Sequence, residues 1–114
     1  MGTLADHYID LFWVRLLPYL STVKPGQTQH YRLLVRNNLG GEATYEARLL
    51  GPPGWQVDEA CQSITLEPGG CGEIQLTATA PSHADHVRRL LTAEVRINDI
   101  NQGPISEALV TVAD

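Results

Sequence analysis

Aromatic side chains are scarce in this chain: one Phe, two Trp and four Tyr make up 6% of its 114 residues. A cleft that stacks sugar rings or bases needs several exposed aromatics together, so the scarcity weighs against such a site. Positive charge is equally thin. Eight Lys and Arg stand against thirteen Asp and Glu, a formal net charge of −5, whereas a phosphate-binding surface needs clustered cations that release counterions. The local pair Arg88 and Arg89 is too small to reverse that balance, so nucleic acid is excluded as a partner.

Apolar runs are interrupted well before membrane-spanning length, which excludes membrane insertion through a helix. Catalytic signatures are missing as well: no Gly-x-Ser-x-Gly elbow, no glycine-rich phosphate loop and no His-Glu-x-x-His pattern occurs. The reading is therefore a non-enzyme with no catalytic residues, no cofactor and no metal. No basic segment followed by an apolar stretch and a cleavage site opens the chain. Met1-Gly2-Thr3 reads as the start of a piece excised from a longer protein, and compartment stays open, with the cytoplasm slightly favoured.

Cysteine is limited to Cys61 and Cys71. If Glu67-Pro68-Gly69-Gly70 turns a hairpin, Leu66 lies opposite Cys71 and Cys61 opposite about Leu76, some five residues out of register. Two free thiols are expected. Cys71, between Gly70 and Gly72, is the one expected to be exposed, with no cation nearby to activate it. The stretch His83-Ala84-Asp85-His86 offers two imidazoles and a carboxylate, but zinc needs four ligands in a rigid cage and this stretch reads as a solvated loop. His7 and His30 are distant in sequence.

What the chain does have is hydrophobic content of 43%, charged content of 18% and a length near that of one ordinary domain. A chain this long buries roughly 65% of its unfolded surface and folds without a metal or disulfide. Nearly every segment alternates with period two, the pattern of strands with one buried face. In residues 27–37, Tyr31, Leu33 and Val35 face one way while His30, Arg32 and Arg36 face the other.

Leu39-Gly40-Gly41 supplies a turn of the kind that positive φ permits, after which Ala43, Tyr45, Ala47 and Leu49 point inward. Gly51-Pro52-Pro53-Gly54 stops that strand, since proline cannot donate to a ladder, and Trp55 and Val57 resume the buried side. Ile64 and Leu66 form a short strand, with Ile74, Leu76 and Ala78 returning beside it as a hairpin. Residues 81–87 read as a polar connection. Leu91, Ala93, Val95 and Ile97, a turn over residues 98–103, and Ala108, Val110 and Val112 complete the pattern.

Counting an N-terminal strand, this gives about seven short strands with turns at intervals of about 8–12 residues. The predicted fold is all-β: one immunoglobulin-like antiparallel β-sandwich spanning residues 1–114, with no βαβ unit and hence no parallel sheet. Residues 8–17 depart from the pattern because both faces are apolar, with Ile9, Leu11 and Trp13 on one and Phe12, Val14 and Leu16 on the other. Such a segment is either central in a sheet or docked on something through its outer face.

Several motifs also carry a family resemblance: Val23-Lys24-Pro25-Gly26-Gln27-Thr28, the strand ending Val35-Arg36-Asn37-Asn38, the step Pro52-Pro53-Gly54-Trp55-Gln56-Val57 and the turn Leu66-Glu67-Pro68-Gly69-Gly70. Together they resemble the alpha-galactosidase-associated group of bacterial Ig-like domains, near the cell-adhesion-related bacterial domains, over residues 23–81. The opening Tyr8-Ile9-Asp10-Leu11-Phe12-Trp13 and the ending Gln102-Gly103-Pro104 through Glu107-Ala108-Leu109-Val110 are similar to the C-terminal extension of some metallo-β-lactamase-fold hydrolases. The resemblance implies a non-catalytic module appended to a larger bacterial protein, often a hydrolase, and it says nothing about Cys61 and Cys71.

Two functions remain. The first is an accessory domain that acts as a spacer or docks to a neighbouring catalytic domain of its parent chain or to its own copy, with Tyr8, Leu11, Phe12, Trp13 and Val14 as the docking surface. The second is carbohydrate binding, for which Trp13 and Tyr8 are the available platform, because Trp55, Tyr31 and Tyr45 fall on inward stripes.

Overall fold

The computed structural model describes residues 14–57 and 61–114. Among the described residues it contains nine strands and no helix: β1 (Val14–Leu17), β2 (Leu20–Val23), β3 (Thr28–Arg36), β4 (Ala43–Leu50), β5 (Gln56–Val57), β6 (Gln62–Leu66), β7 (Cys71–Thr79), β8 (Arg88–Ile97) and β9 (Ile100–Val112). They form a four-stranded sheet in the order β1-β3-β7-β5 and a five-stranded sheet in the order β2-β9-β8-β4-β6. The inward stripes meet between the sheets. Tyr31, Leu33 and Val35 from β3, and Ile74, Leu76 and Ala78 from β7, pack against Ala43, Tyr45, Ala47 and Leu49 from β4, Leu91, Ala93 and Val95 from β8, and Ala108, Val110 and Val112 from β9. Each of these side chains is at most 3% exposed. Trp55, Val57 and Ile97 are half-buried and pack at the margin of this core.

The expected seven strands become nine because β2 and the two-residue β5 are separate elements. The N-terminal strand breaks at Pro18, which cannot donate to a ladder and follows a cis Leu17-Pro18 bond. On one side of the break β1 runs antiparallel to β3; on the other, β2 enters the opposite sheet and runs parallel to β9, from Leu20 opposite Leu109 to Val23 opposite Val112. The sandwich therefore contains a parallel pairing, which the antiparallel expectation omits.

Two expected hairpins are instead arches between sheets. β3 lies in the four-stranded sheet and β4 in the five-stranded one, while β6 pairs with β4 and β7 pairs with β3. Neither Gly40 nor Gly41 has a positive φ. A hairpin and an arch leave the same residues pointing inward, so period-two alternation cannot distinguish them. Within the second arch, Pro68 and Gly69 occupy the central positions of a turn closed by Gly70 N–H donating to Glu67 O at 2.8 Å, and the φ of 77° at Gly69 is the left-handed conformation that position requires.

Both arches converge on Asn37, the one buried polar residue among the described residues, with 0% exposure. Its backbone N–H donates to Gly70 O at 2.9 Å and its carbonyl accepts from Gly69 N–H at 2.8 Å. Its side-chain amide donates to Gly41 O and Leu66 O, each at 2.9 Å, while Oδ1 accepts from Leu39 N–H and from the Tyr45 hydroxyl, again at 2.9 Å. Both amide donors and both lone pairs of the side chain are thus satisfied. In the sequence Asn37 stands simply at the end of a strand, with nothing in the local pattern to mark its role.

The β8–β9 connection is tighter than the expected turn over residues 98–103. Asn98 and Asp99, with φ of 49° and 67°, make a two-residue turn between Ile97 and Ile100, which face each other. Positive φ at both positions is the primed geometry whose twist matches antiparallel strands. Asn98 also closes β4: its N–H donates to Thr44 O and its Oδ1 accepts from Thr44 N–H, both at 2.9 Å.

Cys61 and Cys71 are exposed free thiols, but not for the reason of hairpin register. Cys61 precedes β6 in one sheet and Cys71 opens β7 in the other. Nor does Cys71 lack a cationic neighbour, since its cross-strand partner is Arg36.

Replacing Asn37 by Ala removes all four hydrogen bonds of its side chain, of which those with Leu66 O and the Tyr45 hydroxyl are buried, and should cost about 3–4 kcal/mol in a denaturant titration. Tyr45→Phe removes one donor from this network and should cost about 1 kcal/mol. Tyr31→Phe provides the contrast. Burial raises the Tyr31 phenol above its ordinary pKa, partly offset by the facing Ser21 hydroxyl, and neither oxygen closes a hydrogen bond of good geometry. Tyr31→Phe should therefore leave stability within about 0.5 kcal/mol or raise it. For the thiols, an Ellman titration of the native protein should count two per chain without denaturant.

Candidate docking surface

Where the chain changes sheet, Pro18 separates β1 from β2 and the intervening Tyr19 is left with its ring outside, 54% exposed. Its carbonyl accepts from Leu109 N–H at 2.6 Å, which anchors the crossing to β9. β1 is an edge strand of the four-stranded sheet, and its Leu16 N–H donates to Ser106 Oγ of β9 at 3.0 Å. A side-chain hydroxyl thus closes a backbone group that would otherwise be unpaired on that edge.

Between β1 and the first half of β9 lies an open cleft of about 730 Å³. Val14 and Leu16 form its floor; Leu17, Tyr19 and Ile105 give it apolar walls; Arg15 and Glu107 supply opposite charges. Ile105 is 39% exposed and lies at the irregularity where the β8–β9 register shifts, between Ser106 opposite Ala93 and Pro104 opposite Glu94. Neither Arg15 nor Glu107 has an ion-pair partner among the described residues. The cleft can therefore take an apolar segment and orient it by charge.

Of the residues singled out from sequence as a docking surface, Tyr8, Leu11, Phe12 and Trp13 lie outside the described residues. Val14 is not on the surface: it is 6% exposed, pairs with Val35 and lines the bottom of the cleft. The reading missed Tyr19 and Leu20, respectively 54% and 58% exposed, although Pro18 between two apolar pairs is a signal that the strand breaks there. Tyr19 also corrects the list of available aromatics. Tyr31 and Tyr45 are buried, as their inward stripes require.

A second, smaller cleft of about 410 Å³ lies on the outer face of the four-stranded sheet, where Leu34 lies among Arg15, Arg36, Cys71 and Glu73. The loop histidines do not assemble with other ligands. Asp85 accepts from Val87 N–H at 3.1 Å and from Arg89 at 2.9 Å, and these two contacts hold its carboxyl below the usual carboxylate range. His86 Nε2 lies 3.9 Å from Asp114 Oδ2, and His30 stands on β3 opposite Thr77. No group of three metal-ligating side chains comes together among the described residues.

No protein-family model matches the chain, and none of the curated proteins does. Solved structures do. A FixG-related protein from Vibrio parahaemolyticus is 16% identical, with 78% of this chain superposed on 82% of that one at a TM-score of 0.59. A non-cellulosomal cohesin from the archaeon Archaeoglobus fulgidus is 9% identical over 89% of this chain and 90% of its own, at 0.54. In a family 123 glycoside hydrolase from Clostridium perfringens, 23% of the chain matches 84% of this one at 8% identity and 0.55. At such identities the likeness is one of fold, and the chain is an immunoglobulin-like β-sandwich.

Proposed function

We propose that this domain is a non-catalytic accessory module of a larger bacterial protein, docking onto a neighbouring domain of its own chain or onto another polypeptide. The observation that carries the reading is the cleft between β1 and β9, with exposed Tyr19 and Ile105 on its walls at the point where the apolar residues 8–13 join β1. Tyr8, Leu11, Phe12 and Trp13 supply the rest of the docking surface. Two comparisons support it: a cohesin shares the fold, and a sandwich of this size makes up 23% of a glycoside hydrolase. The finer reading makes the parent a hydrolase and the domain one of the alpha-galactosidase-associated type, or the C-terminal extension of a metallo-β-lactamase-fold enzyme. It rests on sequence motifs alone: the turns and strand end within residues 23–81 for the first, the opening and closing segments for the second.

Carbohydrate binding is the second reading, favoured by one observation: the Tyr19 ring, 54% exposed beside the cleft, is a stacking surface. The two readings separate experimentally. In source cells, an antibody against the domain should detect a polypeptide far above 12.5 kDa on a denaturing gel. In that intact protein, Leu11→Asp, Trp13→Ala and Tyr19→Ser should leave the thermal melt of the sandwich in place and weaken assembly by about 10-fold or more. Assembly indifferent to all three substitutions refutes docking through this surface. A saturable change in tryptophan fluorescence with an oligosaccharide, abolished by Tyr19→Ser, would establish the carbohydrate reading in its place.

A further inference from the structure

The outer face of the five-stranded sheet carries a feature visible only once the strands are in register. Leu20 of β2 stands opposite Leu109 of β9, and Leu109 stands opposite Leu90 of β8. The three leucines form a row across three adjacent strands. They occupy the parity opposite to the buried Val110 and Leu91 and therefore point away from the core. Leu20 and Leu90 are 58% and 46% exposed. Scattered exposed leucines are ordinary, but an aligned row on a sheet face is a contiguous apolar patch of the kind that marks an interface.

The flanks of the row identify what covers it. Two residues along the strands on one side, Arg88 stands opposite Thr111; two residues along on the other, Thr92 stands opposite Glu107. Arg88 and Glu107 are both exposed, and neither has an ion-pair partner among the described residues. A two-fold axis lying along the leucine row exchanges these two flanks. It sets the row against its own copy and places Arg88 of one molecule one strand spacing, about 4.8 Å, to the side of Glu107 of the other, within reach of a guanidinium. The same operation repeats the contact symmetrically. Strands of the facing sheets then remain aligned to within the sheet twist, the ordinary geometry of sheet-on-sheet packing. A surface whose apolar row and flanking charges are complementary to themselves fits a second copy of this chain.

We infer that the domain self-associates into a two-fold dimer through the outer face of its five-stranded sheet, with Leu20, Leu90 and Leu109 at the centre and Arg88–Glu107 pairs on both sides. This surface is separate from the β1–β9 cleft except for Glu107, and the inference does not depend on the docking function. It is tested by sedimentation equilibrium on the whole chain across a concentration series. At roughly 50–100 µM the protein should weigh twice 12.5 kDa. Leu90→Asp, on an outward position, should raise the dimer Kd by about 100-fold because the change occurs on both sides of the axis. Arg88→Glu and Glu107→Arg should each weaken it by about 10-fold, and the double reversal should restore it. Leu11→Asp and Trp13→Ala should leave it unchanged, which separates failure here from failure of the docking reading. A monomer throughout the series, a dimer indifferent to Leu90→Asp, or charge reversals that do not rescue one another would overturn the inference.

Discussion

The two arches that carry the chain between sheets meet at Asn37, and the alignment of the sandwich depends on that meeting. An arch has no ladder of its own: its backbone donors and acceptors lie where neither sheet can pair them, and those turned toward the end of the apolar core need a partner from within the chain. Asn37 answers the first arch at Leu39 and Gly41 and the second at Leu66, Gly69 and Gly70. Tyr45, reaching from β4 across the core, closes the remaining lone pair. Because one residue satisfies groups on both arches, β3 and β7 in one sheet are held at a fixed offset from β4 and β6 in the other. That offset lets Tyr31, Leu33 and Leu76 interdigitate with Tyr45, Leu49 and Val95.

Much of this core was legible in the sequence, because a strand's inward residues recur every second position whatever it pairs with. The stripes on β3, β4, β7, β8 and β9 were read correctly. What could not be read was which sheet each strand joins. Glu67-Pro68-Gly69-Gly70 has the turn chemistry of a hairpin, and its turn does close by the expected backbone bond, yet it leads from β6 in one sheet to β7 in the other. The difference lies in Asn37, whose amide reaches Leu66 across 29 residues of chain, and in Tyr45, which closes on Asn37; alternation carries no such long-range information. The parallel β2–β9 pairing was hidden for the same reason: it joins the two ends of the chain.

The candidate cleft was legible in part. Two-faced hydrophobicity in residues 8–17 points to this end of the chain, but it places Val14 on the surface, whereas pairing with Val35 turns it into the core. Tyr19 and Ile105 went unnoticed because each is exposed through a break in regularity, a proline in one case and a shifted register in the other. The leucine row is less legible still. Leu20, Leu90 and Leu109 are scattered through the chain and become neighbours through two separate register relations, one parallel and one antiparallel.

The two outer faces of the sandwich differ in a way that bears on where partners bind. On the four-stranded sheet, β1, β3 and β7 present Arg15, Arg32, Arg36, Glu73 and Gln75, and Arg32 and Glu73 approach to 4.0 Å while both stay well solvated. Such a face gains little from being covered, because its charges are already hydrated and an exposed pair contributes little. On the five-stranded sheet, Arg48 and Glu94 are already paired across β4 and β8 at 2.9 Å. The adjoining surface on β2, β9 and β8 is leucine, with its nearest charges unpaired. Covering that surface removes apolar area from water and brings Arg88 and Glu107 to partners they lack within the molecule. Of the two outer faces, the five-stranded one therefore offers the larger free-energy gain on association, and within it the half next to the parallel strand pairing that sequence periodicity did not reveal.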